Sequence, residues 1–179
     1  SHRFVSAALA ETVGKDIKDL KIISCHLGNG SSITAIKGGK SIDTTMGFTP
    51  LDGVLMGTRT GSVDPSAVTF VAQKHGFTPN EMSDYMNKKS GFLGLSGVSS
   101  DNREVSAAAA HGDKRACLVN EMLAYQIKKD IGAYTAAMDG VDAIIFTGGI
   151  GENDPPTREN SCSDLDFFGI KIDKELNKT

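Results

Sequence analysis

Apolar positions recur along this chain with two different periods, and an element ends wherever the period changes. Phe4, Val5, Ala8, Leu9 and Val13 lie three or four apart, which predicts a helix stopping at Gly14. Over 21–27 the apolar residues crowd together (Ile22, Ile23, Cys25, Leu27), the pattern of a buried strand. Gly28-Asn29-Gly30 then supplies a turn of residues that tolerate positive φ. A second strand over 31–37, a Gly38-Gly39 hairpin turn and a third strand over 40–46 complete a predicted meander.

The helical period returns after a glycine-rich loop over 47–62. Asp64-Pro65 is a cap followed by proline at the first helical position, leading into a stripe of Ala67, Val68, Val71 and Ala72 that ends at Gly76. Thr78-Pro79-Asn80-Glu81 has the form of a capping box, with Met82, Tyr85 and Met86 predicted inward. The Gly/Ser stretch over 90–100 reads as a loop. Asp101-Asn102-Arg103-Glu104 opens an Ala-rich helix that stops near Gly112. A long helix is predicted over 114–139, where Cys117, Leu123, Ile127, Ile131, Tyr134 and Met138 share one face that only Asn120 interrupts.

Residues 141–147 contain the run Ala143-Ile144-Ile145-Phe146, which predicts a strand buried on both faces in a parallel part of the sheet. Gly148-Gly149-Ile150-Gly151 breaks it, Asp154-Pro155-Pro156 starts another helix, and 167–172 is expected to be a short last strand. The fold class is therefore α/β, a mixed β-sheet with flanking helices. Without an internal repeat or a long linker, one domain over 1–179 is expected.

Composition narrows the function. The 179 residues carry 19 basic against 22 acidic side chains, with no basic stripe, so the electrostatic footprint of nucleic-acid binding is missing. The longest uncharged stretch, 22–36, holds His26, Asn29 and several Ser and Thr residues and is unsuited to spanning a membrane. Cys25, Cys117 and Cys162 are odd in number and far apart, which fits neither a disulfide framework nor a zinc site and agrees with a reducing, cytoplasmic setting. The chain begins without Met, directly at a helix start, and reads as a piece of a longer protein.

Glycine is clustered, and the clusters carry the candidate chemistry. In His26-Leu27-Gly28-Asn29-Gly30-Ser31-Ser32, glycines at a strand tip let backbone N–H groups converge on phosphate oxygens, with Ser31 and Ser32 as possible hydroxyl donors. An ordinary hairpin turn explains the same residues. Gly148-Gly149-Ile150-Gly151-Glu152-Asn153 lies between a strand and a helix start, where ligands of open α/β sheets collect. A dinucleotide fingerprint would need a glycine at Asp154, so that motif fails, and no Walker-type loop occurs.

Gly57-Thr58-Arg59-Thr60-Gly61 presents an arginine from a flexible loop, either to solvent or to a phosphoryl group in transfer. The fourth candidate is Ser99-Ser100-Asp101-Asn102-Arg103, where Asp101 has a sufficient task as a helix cap and the alternative is contact with a nucleotide base or ribose. Of the histidines, only His26 has a suggestive position; His75 and His111 sit at helix ends.

Four segments together, residues 23–32, 45–51, 56–61 and 146–153, resemble the acetate kinase family in motif, order and spacing. The resemblance covers the whole chain, and Ser1-His2-Arg3 is similar to the tail of the family's His-Gly-Thr-Ser-His-Arg segment. It implies an actin-like ATPase (ribonuclease H-like) domain, most of the C-terminal half of a two-domain kinase. It further implies transfer of the ATP γ-phosphoryl group to acetate, giving acetyl phosphate and ADP. By that resemblance His26, Leu27, Gly28, Asn29 and Gly30 form a phosphate segment, Asp101, Asn102 and Arg103 a nucleotide-binding position, and Gly149, Ile150, Gly151, Glu152 and Asn153 the adenosine-side loop. Asn102 stands where the family usually has an aromatic residue.

Arg59 matches the arginine that stabilises the transferring group. Magnesium is implied for the full-length enzyme, with ligands outside this chain, as are acetate and ATP as substrates, a homodimer, and no nucleic-acid or membrane partner. The alternatives are a propionate or butyrate kinase of the same family and a non-catalytic actin-type nucleotide-binding domain. A Rossmann dehydrogenase is disfavoured by the missing third glycine.

Overall fold

The computed structural model describes residues 1–178. Helix α1 (His2–Val13) ends at Gly14, whose φ of 64° lets its N–H reach back to the carbonyls of Ala10 and Glu11. Strands β1 (Lys21–His26), β2 (Ser32–Lys37) and β3 (Lys40–Thr44) form the expected antiparallel meander, and β4 (Ala143–Thr147) lies parallel beside β1. The sheet order is β3-β2-β1-β4.

Alternation along the strands divides the core in two. Ile23, Cys25, Ile33 and Ala35, all fully buried, face the long helix α6 (Lys114–Met138), which meets them with Val119, Leu123, Ile127 and Ile131. Ile22 and Ile36 face the other way and pack with Ala10 and Leu20. Each of the buried Ile, Leu and Val side chains stabilises the fold by about 1.5–3 kcal/mol through removal from water. Asp113 caps α6 by accepting from the Ala116 N–H, and Asp139 ends it in the left-handed region at φ 60°.

The remaining helices are α2 (Pro65–His75), α3 (Pro79–Lys88), α4 (Gly91–Ser96), α5 (Asn102–Ala110), α7 (Gly148–Asn153) and α8 (Pro155–Cys162). Thr78 and Glu81 make the capping box of α3 with both reciprocal bonds in place. Asp64, Asp101 and Asp154 cap α2, α5 and α8 through side-chain oxygens that accept backbone N–H groups.

The structure departs from the sequence pattern at several places. Residues 167–172 form no strand: a short 3-10 turn (Asp166–Phe168) closes at Gly169, and Phe168, Ile170 and Ile172 pack on the core without pairing to the sheet. The stretch 90–100 is not all loop, because α4 occupies its first half. Likewise the glycine break after β4 is itself a helical turn, α7. Strand β4 is half-buried throughout, not enclosed on both faces, because it is an outer strand of the sheet. The third strand ends at Thr44, two residues early. On α3 only Met82 is buried; Tyr85 is exposed and lies 5.5 Å from the Phe77 ring. No residue of α2 is buried.

The parallel pairing places the site. Because β1 and β4 are parallel neighbours, both glycine segments that follow them emerge at the same end of the sheet.

Candidate active site

The two glycine segments touch. Leu27 N–H donates to the Thr147 carbonyl (2.8 Å), and the Leu27 carbonyl accepts from Ile150 N–H (2.9 Å) and Gly151 N–H (3.2 Å). Gly148 has φ 81°, and a Cβ there would come within 2.6 Å of the Leu27 carbonyl oxygen, so only glycine permits this approach. Next to that junction opens a cavity of about 690 Å3. It is bounded by Gly28 and Asn29 from the first segment, Gly149, Ile150 and Asn153 from the second, and Asp101, Asn102 and Arg103 at the start of α5. Phe92, Ser100 and Asp154 complete the wall.

Polar side chains on that wall are held by one another. Arg103 donates to both Asp101 oxygens, Nη2 to Oδ2 at 2.6 Å and Nε to Oδ1 at 3.1 Å. These bonds, with the Arg103 backbone N–H, hold the Asp101 carboxyl down at about 2. The Arg103 side chain is otherwise open to solvent. Asn102 is buried and donates from Nδ2 to Asp154 Oδ2 at 2.7 Å. The same Asp154 oxygen accepts from Thr157 Oγ1, while Oδ1 accepts from Thr157 N–H.

Arg59 stands just outside the cavity wall. Its Nη1 lies against Gly30, where a Cβ would sit 3.2 Å from it, and donates to the Pro50 carbonyl at 3.3 Å. The loop carrying it presses on the same turn, since Gly57 N–H donates to the Asn29 carbonyl (3.3 Å). A Cβ on Gly57 would overlap Asn29 Oδ1 and come within 2.8 Å of the Ser100 carbonyl.

On the far side of the turn, His2 bridges two strands. Its Nδ1 bonds Ser24 Oγ at 2.9 Å and its Nε2 bonds Ser32 Oγ at 2.8 Å, with the His26 ring edge-on at 6.3 Å. Burial, chiefly, and His26 beside it lower the His2 pKa.

The sequence-predicted residues thus separate into two sets. Gly28, Asn29, Asp101, Asn102, Arg103, Gly149, Ile150 and Asn153 share the cavity. His26, Leu27, Gly30, Gly151 and Glu152 do not line it. Leu27 and Gly151 are buried where the segments meet, and Glu152 Oε1 accepts from Thr147 Oγ1 and Gly148 N–H, which steadies the start of α7.

Ser31 and Ser32 are not free donors. Ser31 Oγ closes the turn on Gly28, accepting its N–H and donating to its carbonyl, and Ser32 is held by His2. Ser100, part of the candidate loop before α5, also lines the cavity, while sequence reasoning missed Phe92 and Asp154 as lining residues. Phe92 carried a weak signal, a lone aromatic in a Gly/Ser stretch.

The mixed sheet with flanking helices, its parallel strand ends opening on the cleft, has the actin-like ATPase fold. The chain belongs to the Acetokinase family, whose profile matches residues 1–179. It is 58% identical over 179 residues to the acetate kinase of Thermoanaerobacter pseudethanolicus, covering 99% of this chain and 45% of that protein. The crystal structure of Porphyromonas gingivalis acetate kinase superposes with a TM-score of 0.97 at 50% identity, covering 99% of this chain and 45% of that one. A propionate kinase from Francisella tularensis gives 0.93 at 43% identity, covering 99% and 46%. The chain therefore spans about 45% of the length of the relatives it matches.

Proposed function

We propose that residues 1–179 form the nucleotide-binding half of a two-domain acetate kinase, with the opposite wall of the cleft supplied by the rest of the protein. In the reaction a carboxylate oxygen of acetate attacks the γ-phosphorus of ATP. A new oxygen–phosphorus bond forms, the bond to the β-phosphate oxygen breaks, and ADP leaves; the reverse reaction makes ATP. The observation that carries this reading is the convergence of three segments distant in sequence on one cavity of about 690 Å3, with Arg59 beside its glycine turn.

An anion attacking an anion needs compensating charge around the equatorial oxygens more than it needs acid or base chemistry. Gly28 and Asn29 present backbone toward the phosphates, with Gly30 against Arg59 and with His26 and Leu27 fixing the strand end behind them. Asp101, Asn102 and Arg103 face the nucleoside, together with Gly149, Ile150 and Asn153, while Gly151 and Glu152 hold that loop in place behind them. Arg59 reaches the phosphoryl group in transfer. Magnesium, when it accompanies the nucleotide, neutralises phosphate charge. Its ligands are proposed to lie in the rest of the full-length protein. The full-length protein is proposed to be a cytoplasmic homodimer acting on acetate and ATP, with neither nucleic acid nor membrane as partner.

Acetyl phosphate formation by the full-length protein, run beside the 1–179 chain, tests the reading. Turnover confined to the full-length protein, with ADP binding retained by the chain, is the expected result. Absence of nucleotide binding in both would overturn it. The likeness to the Francisella propionate kinase supports a second reading, a longer acyl acceptor. Saturation kinetics of the full-length protein across acetate, propionate and butyrate separate the two.

A further inference from the structure

Arg59 belongs to a glycine-flanked loop, yet the backbone around it has almost no freedom. Thr58 N–H and the carbonyls of Met56 and Arg59 pack against Gly91, and three successive carbonyls of the loop are taken by one short segment. Met56 accepts from Phe92 N–H at 2.8 Å, Gly57 from Leu93 N–H at 3.0 Å and Thr58 from Ser90 N–H at 2.9 Å. Two more bonds fasten the loop to the end of α3: Thr60 N–H donates to the Met86 carbonyl at 3.1 Å, and Thr58 Oγ1 to the Asn87 carbonyl at 2.8 Å. Among residues 56–60 only Arg59 makes no hydrogen bond to this neighbour, and its guanidinium is the part that projects toward Gly30.

We propose that the segment Ser90-Gly91-Phe92-Leu93 is the seat that aims Arg59, and that Gly91 is a positioning residue for phosphoryl transfer. Gly91 has φ 63°, and a Cβ on it would overlap the Met56 carbonyl and lie 2.9 Å from both the Arg59 carbonyl and the Thr58 nitrogen. Those obstacles are backbone atoms, which cannot swing aside as a side-chain tip does. Any side chain at 91 therefore pushes the arginine loop off its seat, toward the Asn29 turn on its other side. Phe92 ties this seat to the nucleotide: it is buried, its N–H holds Met56, and it lines the cavity. The distance between Arg59 and a bound nucleotide is thus set by one rigid piece instead of by loop flexibility.

This inference rests on the role proposed above for Arg59, and a double-mutant cycle in the full-length protein separates the two. Gly91→Ala should lower kcat at least tenfold while ADP affinity, measured by calorimetry, stays within about threefold, since a misplaced group loses rate before it loses ground-state binding. In an Arg59→Ala background, Gly91→Ala should change kcat less than about twofold, because there is no guanidinium left to misplace.

An equal loss in both backgrounds would assign Gly91 to general folding and overturn the proposal. Should Gly91→Ala not fold, Thr58→Val runs the same cycle, removing the bond to Asn87 at nearly constant volume; a wild-type kcat for a folded Thr58→Val would count against the seat. Arg59→Ala with wild-type kcat would instead remove the reading of Arg59 itself, and the seat with it.

Discussion

Asn102 and Asp154 lie 52 positions apart and are joined by a 2.7 Å bond from the amide nitrogen to the carboxylate. A carboxylate only accepts, so the amide NH2 group must face Asp154 and its Oδ1 is turned away, buried and without a partner. The pair fixes the start of α5 against the start of α8 across the cavity.

Replacing the amide by an acid tests that bond. Asn102→Asp sets two carboxylates face to face in a half-buried position and should destabilise the chain by about 2 kcal/mol at pH 8. Near pH 4 the loss should shrink, because the introduced carboxyl, once protonated, can again donate to Asp154. Thermal melts at the two pH values check this; a loss independent of pH would show that the two groups do not meet.

Arg59→Ala in the full-length protein should lower kcat by roughly 10²–10³-fold with little change in nucleotide KM, the signature of a contact made in the transition state. Arg59→Lys should recover little of it, since a point charge cannot make a forked contact. Steady-state kinetics decide it, and a wild-type kcat for the alanine variant would return Arg59 to solvent.

Two glycines should respond differently to the same added methyl group. At Gly30 the obstacle is the Arg59 guanidinium at 3.2 Å, a movable tip, so Gly30→Ala should keep its melting temperature within about 2 °C while kcat falls. At Gly148 the obstacle is Leu27 backbone and φ is positive, so Gly148→Ala should cost about 2 kcal/mol or more in stability. Melting curves and kinetics of the two variants side by side supply the comparison.

Asp130 predicts a pH dependence. It lines a smaller cavity with Thr45, Ser62, Gln126 and Tyr134, where burial first and the neighbouring Asp43 second push its carboxyl up to about 6, against the pull of Lys129. The native state therefore holds a proton that the unfolded chain, with a carboxyl near about 3.9, has released. Stability should fall as pH rises from about 4 to about 6 and stay lower above that. Asp130→Asn should remove this fall, gaining on the order of 1 kcal/mol at pH 8 after allowance for partial exposure, or about 2–4 °C, with no gain at pH 4. Melts across that range test it.

Local chemistry made much of this legible in advance. The meander, the caps at Asp64, Thr78, Asp101 and Asp154 and the face of α6 follow from spacing and turn residues alone. What escaped was set by distant partners. Gly91-Phe92-Leu93-Gly94 has the composition of a loop and is helical, with the N–H groups of Phe92, Leu93 and the N-cap Ser90 held by the carbonyls of Met56, Gly57 and Thr58. Phe168, Ile170 and Ile172 alternate like a strand but pack on the core without pairing to the sheet. Ser31 and Ser32 look like ligand donors until Gly28 and His2 are seen to engage them. The cavity residues named from sequence were those on glycine turns and at the start of α5; Asp154, a cap by its local pattern, needed Asn102 across the cleft to acquire a second role.

The parallel contact between β1 and β4 also bears on how the chain reaches its native state. Lys21 N–H bonds Asp142 Oδ2 across 121 residues, whereas the pairs within the meander are neighbours in sequence. Closing so long a loop is entropically costly and slow compared with hairpin formation. The meander and the long helix can take shape early, but the junction of the two glycine segments exists only after the last strand has docked. Competence to hold a ligand in the cleft therefore arrives at the end of folding. On the nucleotide-binding role proposed above, a nucleotide added to the refolding chain would select molecules that have finished, and would stabilise them by mass action.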